Sequence, residues 1–368
     1  MQEEQKNNEK KEHYAASQWK LMSLRFKKHK LALVGTGIII IFYLLAIFSE
    51  FIAPYDPVSY EADLSYMPPH NIRFFDNNGE FNFRPFFYSW EKEFDRNTFQ
   101  TVWKLDKTKK NYIYFIIRGD SYEFLNIFKS NIHLFGSQEK LFLFGGDKLG
   151  RDVFSRIIYG TRISMSIGLI GVFLSFILGI LIGGFSGYYG GLLDTVIQRF
   201  IELLRSIPTI PLWMALSASL PQDWSAIQNY FAITVILSLL GWTGLARQVR
   251  GKFISLREED FITAALVSGT SEYTIIVRHM LPSFLSHVIT TMTLAIPAMI
   301  LGETSLSFLG IGLRPPVVSW GVLLQAAQNL RSVAMAPWLL LPGAFVFIAV
   351  ISFNFMGDGL RDAADPYS

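Results

Sequence analysis

Long apolar runs alternate with polar, charged blocks along most of this chain. Most runs are close to the ~20 residues that an α-helix needs to cross the hydrocarbon core of a membrane. The third run contains Pro208 and Pro211, so the pattern leaves its register open. We predict six membrane-spanning helices, at roughly 31–52, 163–187, 192–220, 230–246, 284–310 and 338–356.

The composition agrees with this pattern. Hydrophobic residues make up 51% of the chain and charged residues 17%. Because they form separate blocks and are not mixed as in a soluble domain, we predict an all-α integral membrane protein. A cleavable signal peptide is the alternative for the first run, but the apolar stretch after Lys30 is too long and follows a long polar lead.

Lysine and arginine residues beside the runs predict the orientation. Arg25, Lys27, Lys28 and Lys30 precede the first run, so the segment 1–30 is expected in the cytoplasm. Six crossings return the C-terminus to that side, together with the basic connection between the fourth and fifth runs. The net charge of +3 is therefore interpreted as this bias, and no nucleic-acid binding is expected.

A segment of different character, 57–145, follows the first transmembrane segment (31–56). It is rich in Phe and Tyr, with a turn signal at 76–79 and alternating polarity at 111–118. We predict a small extracytoplasmic insert that contains β structure. It is either a lid packed on the rest of the protein or a docking surface for an external partner or substrate. The chain has no cysteine, so no disulfide joins its parts.

A polar, helix-forming block lies between the fourth and fifth runs. Ala264 and Ala265 are followed by Gly269, so a helix through them would carry a shallow notch into which a partner's side chains fit. Leu281 and Pro282 then open the next apolar run, because proline suits a first helical turn. We predict a cytoplasmic docking loop at 254–282, within a transmembrane core at 146–368.

Five sequence blocks carry a resemblance to a known family. Spans two to six and the first segment, over about 31–56 and 145–368, resemble the permease subunit of ATP-binding-cassette (ABC) importers of the dipeptide, oligopeptide and nickel class. Thr263 stands where the family's loop has glutamate, and His279 where isoleucine is usual. The blocks are GGDKLGRDVFSRIIYGTRIS (145–164), GYYGGLLDTVIQRFIELLRSIP (187–208), WTGLARQVRGKFISLREEDFITAALVSGTSEYTIIVRHMLP (242–282), LGETSLSFLGIGLRPPVVSWG (301–321) and FNFMGDGLRDAADP (353–366).

The resemblance implies half of a translocation pathway for short peptides in a bacterial inner (plasma) membrane. The implied partners are a homologous second permease subunit, two ABC ATPase subunits and an extracytoplasmic binding protein. The chain has no GxxxxGK[ST] phosphate loop, so ATP and Mg are expected in the ATPase subunits and no cofactor in this chain. The residues implied to contact the ATPase are Thr263, Ala264, Ala265, Gly269, Leu281 and Pro282.

Charged residues in the apolar regions are candidates for the pathway or its gate. Asp194, Glu202 and Arg205 share one helix face in the third run, where they would line the inner mouth of a pore or form an ion-pair network among themselves. Glu303 is expected to pair with Arg314 or to line an outer gate. No histidine base completes a catalytic triad near Glu303, so enzyme activity is not expected.

Two other classes of function are weighed against this one. An energy-independent channel or secondary carrier would need structural repeats and coupling-ion carboxylates at mid-membrane, and neither is clear in the sequence. A membrane enzyme or a sensor would use the 57–145 segment to bind a ligand.

Overall fold

The computed structural model describes residues 18–96, 100–125 and 127–364. Within these ranges the chain is mostly helical, with two small antiparallel sheets inserted between the third and fourth helices. The helices are α1 (Gln18–Phe26), α2 (Lys30–Ile47), α3 (Ser49–Ile52), α4 (Val153–Tyr189), α5 (Gly191–Ser206), α6 (Thr209–Ala218), α7 (Ala226–Arg257), α8 (Asp260–Val267), α9 (Glu272–Thr274), α10 (Leu281–Ser283), α11 (Leu285–Phe308), α12 (Trp320–Gln325), α13 (Leu330–Met335) and α14 (Leu341–Ala364).

In the described part of the chain, five helical stretches are long and apolar enough to cross a membrane. They correspond to the first, second, fourth, fifth and sixth predicted spans. The α4 helix is longer than its apolar run because Asp152 caps it, accepting a hydrogen bond from the backbone N–H of Ser155. The five stretches are Lys30–Ile47, Val153–Tyr189, Ala226–Arg257, Leu285–Phe308 and Pro337–Ala364.

The third predicted span is two helices in the structure. The α5 helix ends at Ser206, and Ile207 takes an extended conformation (φ −86°, ψ 128°) before Pro208. Proline disfavours helical dihedrals in the residue before it, so the chain breaks there and restarts as α6. With 10 residues, α6 is only ~15 Å long and cannot cross the hydrocarbon core alone.

The helices α4 and α7 pack against each other along most of their lengths, and glycine makes this possible. A Cβ atom at Gly183 would lie 2.8 Å from the Cα of Ala246, and one at Gly187 would lie 2.7 Å from the carbonyl oxygen of Arg250. No side chain fits at these distances, so the two helices approach with their backbones nearly in contact. This fixes Arg250 beside the end of α4.

The insert has the β structure that the sequence predicted. Its first sheet contains β1 (Arg73–Phe75), β2 (Phe81–Asp95) and β3 (Gln100–Tyr112), in the order β1-β2-β3, and its second pairs β4 (Tyr114–Phe124) with β5 (Phe128–Gly136). All pairs are antiparallel, and the β2–β3 ladder has a register shift between Tyr88 and Ser89.

Hydrogen bonds attach the insert to the helices around α3. The buried His133 of β5 lies with Nδ1 2.7 Å from the carbonyl oxygen of Ala53 and Nε2 2.9 Å from that of Asp120. The hydroxyl of Tyr55 accepts a hydrogen bond from the backbone N–H of Leu141 at 2.8 Å. The insert is thus packed on the helical part at its base, and whether it serves as a lid or as a docking surface stays a prediction.

Candidate functional site

The predicted docking loop contains a short helix with a defined end. The α8 helix stops at Val267, and Gly269 follows with φ +77°. The backbone N–H of Gly269 donates to the carbonyl of Leu266 (3.0 Å), and that of Thr270 donates to Ala265 (3.1 Å). This pair of bonds is a Schellman motif, which places glycine just beyond the helix end. The prediction of a helix that continues through Gly269 as part of a notch is therefore wrong.

A buried layer holds the loop on the ends of the long helices. Ile262 of α8, together with Ile275 and Met280 of the following π-helical segment (Ile275–Met280), is fully buried in one cluster with Phe253 of α7. These side chains fix the position of the loop relative to α7.

Two hydrogen bonds tie the same region to the end of α4. Arg257 Nη1 donates to the carbonyl of Tyr188 at 3.0 Å, and the Tyr189 hydroxyl donates to Glu272 at 3.1 Å. The loop is therefore coupled to two of the long helices, α4 and α7.

The outer surface of the loop exposes large apolar side chains. Val267 is 85% exposed and Tyr273 is 76% exposed, and Phe261 and Leu266 are about half exposed. Several large apolar side chains exposed in one short segment indicate an interaction surface. We call these four residues the apolar knob.

The loop residues inferred from the family resemblance differ in their burial. Thr263, Ala264, Gly269 and Pro282 are exposed, while Ala265 and Leu281 are half-buried. The short helix α10 carries Pro282 in its first turn, and the chain breaks at Phe284 (φ −126°) before α11 begins.

The polar residues of the third predicted span lie on α5. Asp194 of α5 accepts two hydrogen bonds from Arg250 of α7, Nε to Oδ1 and Nη2 to Oδ2, both 2.5 Å, and a third from the hydroxyl of Ser186. Glu202 pairs with Arg199 on its own helix at 2.7 Å. Glu202 therefore pairs within α5, with Arg199 and not with the candidate Arg205, whereas the ion-pair partner of Asp194 is on α7.

Arg205, the remaining candidate of α5, is exposed in this chain. The side chain of Glu202 is 48% exposed, whereas that of Asp194 is only 15% exposed. The assignment of these residues to a pathway stays a prediction.

Glu303 lies fully buried in a cradle of serine hydroxyls. Ser164, Ser307 and Ser319 donate to its carboxylate at 3.3, 2.8 and 2.6 Å. Arg314 is not among the partners of Glu303 in the described residues, so the expected ion pair does not form.

The same serines organise the turn between α11 and α12. Their hydroxyl oxygens accept from the backbone N–H groups of Trp320 (3.1 Å), Leu313 (3.0 Å) and Val322 (3.1 Å). Each serine thus receives a backbone hydrogen and gives its own hydrogen to Glu303. Sequence reasoning missed this arrangement, although serine-rich positions around a lone acidic residue were visible in the block 301–321.

The five apolar helices of membrane-spanning length in the described residues are those of a multi-pass membrane protein. The chain belongs to the family described as "Binding-protein-dependent transport system inner membrane component", whose profile matches residues 142–367. A second profile, "N-terminal TM domain of oligopeptide transport permease C", matches residues 17–69. The resemblance inferred from the sequence blocks is confirmed.

Relatives at moderate identity agree with this assignment. The oligopeptide transport system permease protein OppC of Haemophilus influenzae is 39% identical over 231 residues, which cover 62% of this chain and 72% of that protein. The dipeptide transport system permease protein DppC of Lactococcus lactis subsp. cremoris is 31% identical over 344 residues, 93% of this chain and 88% of that protein. Among solved structures, the inward-facing MetNI methionine ABC transporter matches with a TM-score of 0.43 and 17% identity, covering 56% of this chain and 96% of that chain.

Proposed function

We propose that this chain is one transmembrane subunit of an ABC importer for short peptides. It forms half of the translocation pathway with a homologous second subunit, receives peptide from an extracytoplasmic binding protein and is driven by two ATPase subunits. The family match supports the transport role, and the printed names of the relatives at 31–41% identity support the peptide cargo. ATP and Mg belong to the ATPase subunits in this proposal.

The proposed topology has six crossings, with both termini in the cytoplasm. The α5 and α6 helices together make the third crossing, since their combined length of ~39 Å exceeds the ~30 Å hydrocarbon core. The insert then lies outside, and the loop that follows α7 lies in the cytoplasm. The basic residues before α2 support this orientation.

The apolar knob carries the proposal for ATPase docking. Val267 and Tyr273 are exposed in the same short segment of chain in which Ile262 and Ile275 are fully buried. An exposed apolar surface on a rigid base suits a contact that transmits force, because displacement of the knob moves the base and the helices attached to it. Glu202 and Arg205 are proposed at the inner mouth, whereas Asp194 and Glu303 hold helices and turns in place.

The test is peptide uptake by the reconstituted importer. The chain is co-expressed with the second permease and the ATPases of its system, purified, and placed in liposomes with the binding protein and a labelled peptide. We expect uptake that requires ATP. Peptide uptake by this chain alone, without ATP, would instead favour the secondary carrier.

A matched pair of variants tests the docking surface in the same assay. Val267→Asp places a charge in the apolar knob, and Phe83→Asp places one on a side chain of the insert that is 92% exposed. We expect Val267→Asp to lose the ATPase subunits during purification and Phe83→Asp to retain them. Equal retention in both variants would remove the knob from the proposal.

A further inference from the structure

An apolar groove of about 710 Å³ runs between the first membrane helix and the second sheet of the insert. One wall is formed by Ile41, Leu44 and Phe48, and the other by side chains such as Phe128 and Ile132 of β5. The rings of Phe48 and Phe124 lie with their centroids 5.9 Å apart and join the two walls. This groove is not used by the proposed transport function.

The wall from the insert is one face of the β4–β5 hairpin. Phe128, Ile132 and Leu134 line the groove, and their side chains are between 37% and 56% exposed. Lys129 and Asn131 alternate with them and are also exposed, on the other face of the strand. A hairpin with three large apolar side chains open on one face is suited to an apolar surrounding on that face.

The depth of the groove follows from the length of α2. Lys30 begins this 18-residue helix, which therefore extends ~27 Å, close to the thickness of the hydrocarbon core. Ile41 lies ~16 Å along the helix from Lys30 and Phe48 ~27 Å along it. The inner end of the groove is thus at the depth of acyl chains, and its outer end is at the membrane surface.

The groove is continuous with the lipid-facing side of α2. Ile40 is 54% exposed and Ile41 55%, while Ile39 and Phe42 on the opposite side are buried in the protein core. The exposed strip leads directly into the groove. At the tip of the hairpin the apolar side chain of Ile127 is 77% exposed.

We propose that the groove binds an acyl chain of a phospholipid from the outer leaflet, and that the β4–β5 hairpin rests in the membrane interface. The hairpin thereby ties the insert to the bilayer as well as to α3. The proposal rests on the proposed topology, in which α2 crosses the membrane and the insert lies outside, and it does not depend on the cargo or on ATPase docking.

The absence of cysteine from the chain allows a direct test. A bimane fluorophore attached to the cysteine of Ile132→Cys lies in the groove. Attached to the cysteine of Asn131→Cys, it lies on the other face of the same strand. Each labelled protein is purified with its partner subunits and reconstituted in nanodiscs with phospholipids that are brominated along the acyl chain or left unbrominated. Aqueous iodide serves as the second quencher.

We expect bimane at position 132 to lose most of its emission in the brominated lipid and to resist iodide, with the reverse at position 131. Quenching of position 132 by iodide alone would mean a water-filled groove and would overturn the proposal. Protection from both quenchers would mean that a protein subunit covers the groove, and would also overturn it. Phe128→Cys, with Lys129→Cys as its control, repeats the comparison if the first pair does not fold.

Discussion

Asp194 at the start of α5 and Arg250 near the end of α7 form a two-pronged ion pair, with both N···O distances 2.5 Å. The two residues are 56 positions apart in sequence. They meet because Gly187 lets α7 approach the end of α4. The pair therefore joins α5 to α7, and the hydrogen bond from Ser186 to Asp194 adds the end of α4 to the same contact.

The ion pair predicts a characteristic pattern of stability changes. Arg250→Gln leaves Asp194, whose side chain is 15% exposed, without its cation, and we expect a loss of about 1.5–3 kcal/mol, the range for hydrogen bonds to a charged group. The exchanged pair, Asp194→Arg with Arg250→Asp, should recover part of that loss. A double-mutant cycle by thermal unfolding in detergent measures the coupling. If the effects of Asp194→Arg alone and Arg250→Asp alone simply add up to the effect of the exchanged pair, the two residues are not coupled and the pair contributes nothing.

The left-handed conformation of Gly269 predicts the effect of alanine there. A Cβ at Gly269 would meet open space, so Gly269→Ala is expected to destabilise the loop by about 1 kcal/mol through the backbone alone. Gly251 in the interior of α7 also faces open space, but its conformation is helical, so Gly251→Ala should stabilise by up to about 1 kcal/mol. Thermal unfolding of the two variants should give opposite signs, and equal signs would contradict the assignment of Gly269 to a left-handed turn.

The serine cradle predicts different outcomes for two substitutions of Glu303. Glu303→Ala removes the acceptor of three buried hydroxyl groups, and we expect a loss of about 3 kcal/mol or more with poor assembly of the turn before α12. Glu303→Gln keeps one acceptor oxygen and should cost less. The measurement is thermal stability together with protease resistance of segment 309–319. If Glu303 lined a gate and did not support this turn, both variants would unfold like the unmodified protein.

Burial of His70 predicts a pH dependence in the insert. Its Nδ1 accepts a hydrogen bond from the backbone N–H of Phe142 at 3.0 Å, which requires an unprotonated nitrogen, and burial lowers the pKa of His70 from 6.5 to about 4. As the pH falls, His70 therefore binds a proton in the unfolded chain at a higher pH than in the folded protein. Stability from this residue is complete above pH ~6.5 and decreases by ~3 kcal/mol as the pH falls to about 4.

The matched variant for this effect is His70→Asn, whose side-chain oxygen keeps an acceptor near the position of Nδ1 but does not titrate in this range. The difference in melting temperature between the unmodified protein and the variant, measured at several pH values, isolates the histidine. We expect the unmodified protein to lose stability relative to the variant as the pH falls below about 6.5. A difference that is independent of pH would contradict the assignment of Nδ1 as an acceptor.

The long helices were predictable because an uninterrupted apolar run of membrane length is typical of a membrane-spanning helix. The break between α5 and α6 left a visible signal in Pro208. Gly269 was misassigned because a glycine after two alanines fits equally a small-residue face or the position beyond a helix end. The sequence pattern does not separate the two, whereas φ +77° does.

The partners of Asp194 and Glu303 were beyond the sequence for a different reason. Both interactions depend on how helices pack in three dimensions, over 56 residues for Asp194 and up to 139 for Glu303. Periodicity along one helix predicts neighbours on that helix, such as Arg199 and Glu202, which are three residues apart. It carries no information on which side chain of another helix lies opposite.

The location of the apolar knob is the claim on which docking depends, and labelling of a single cysteine tests it most directly. Val267→Cys introduces a reactive thiol at a site that is 85% exposed, in a chain without other cysteines. We expect a membrane-impermeant maleimide to label it in inverted membrane vesicles stripped of ATPase, and to fail once the ATPase subunits are restored. Labelling from the outside of intact cells would contradict the account.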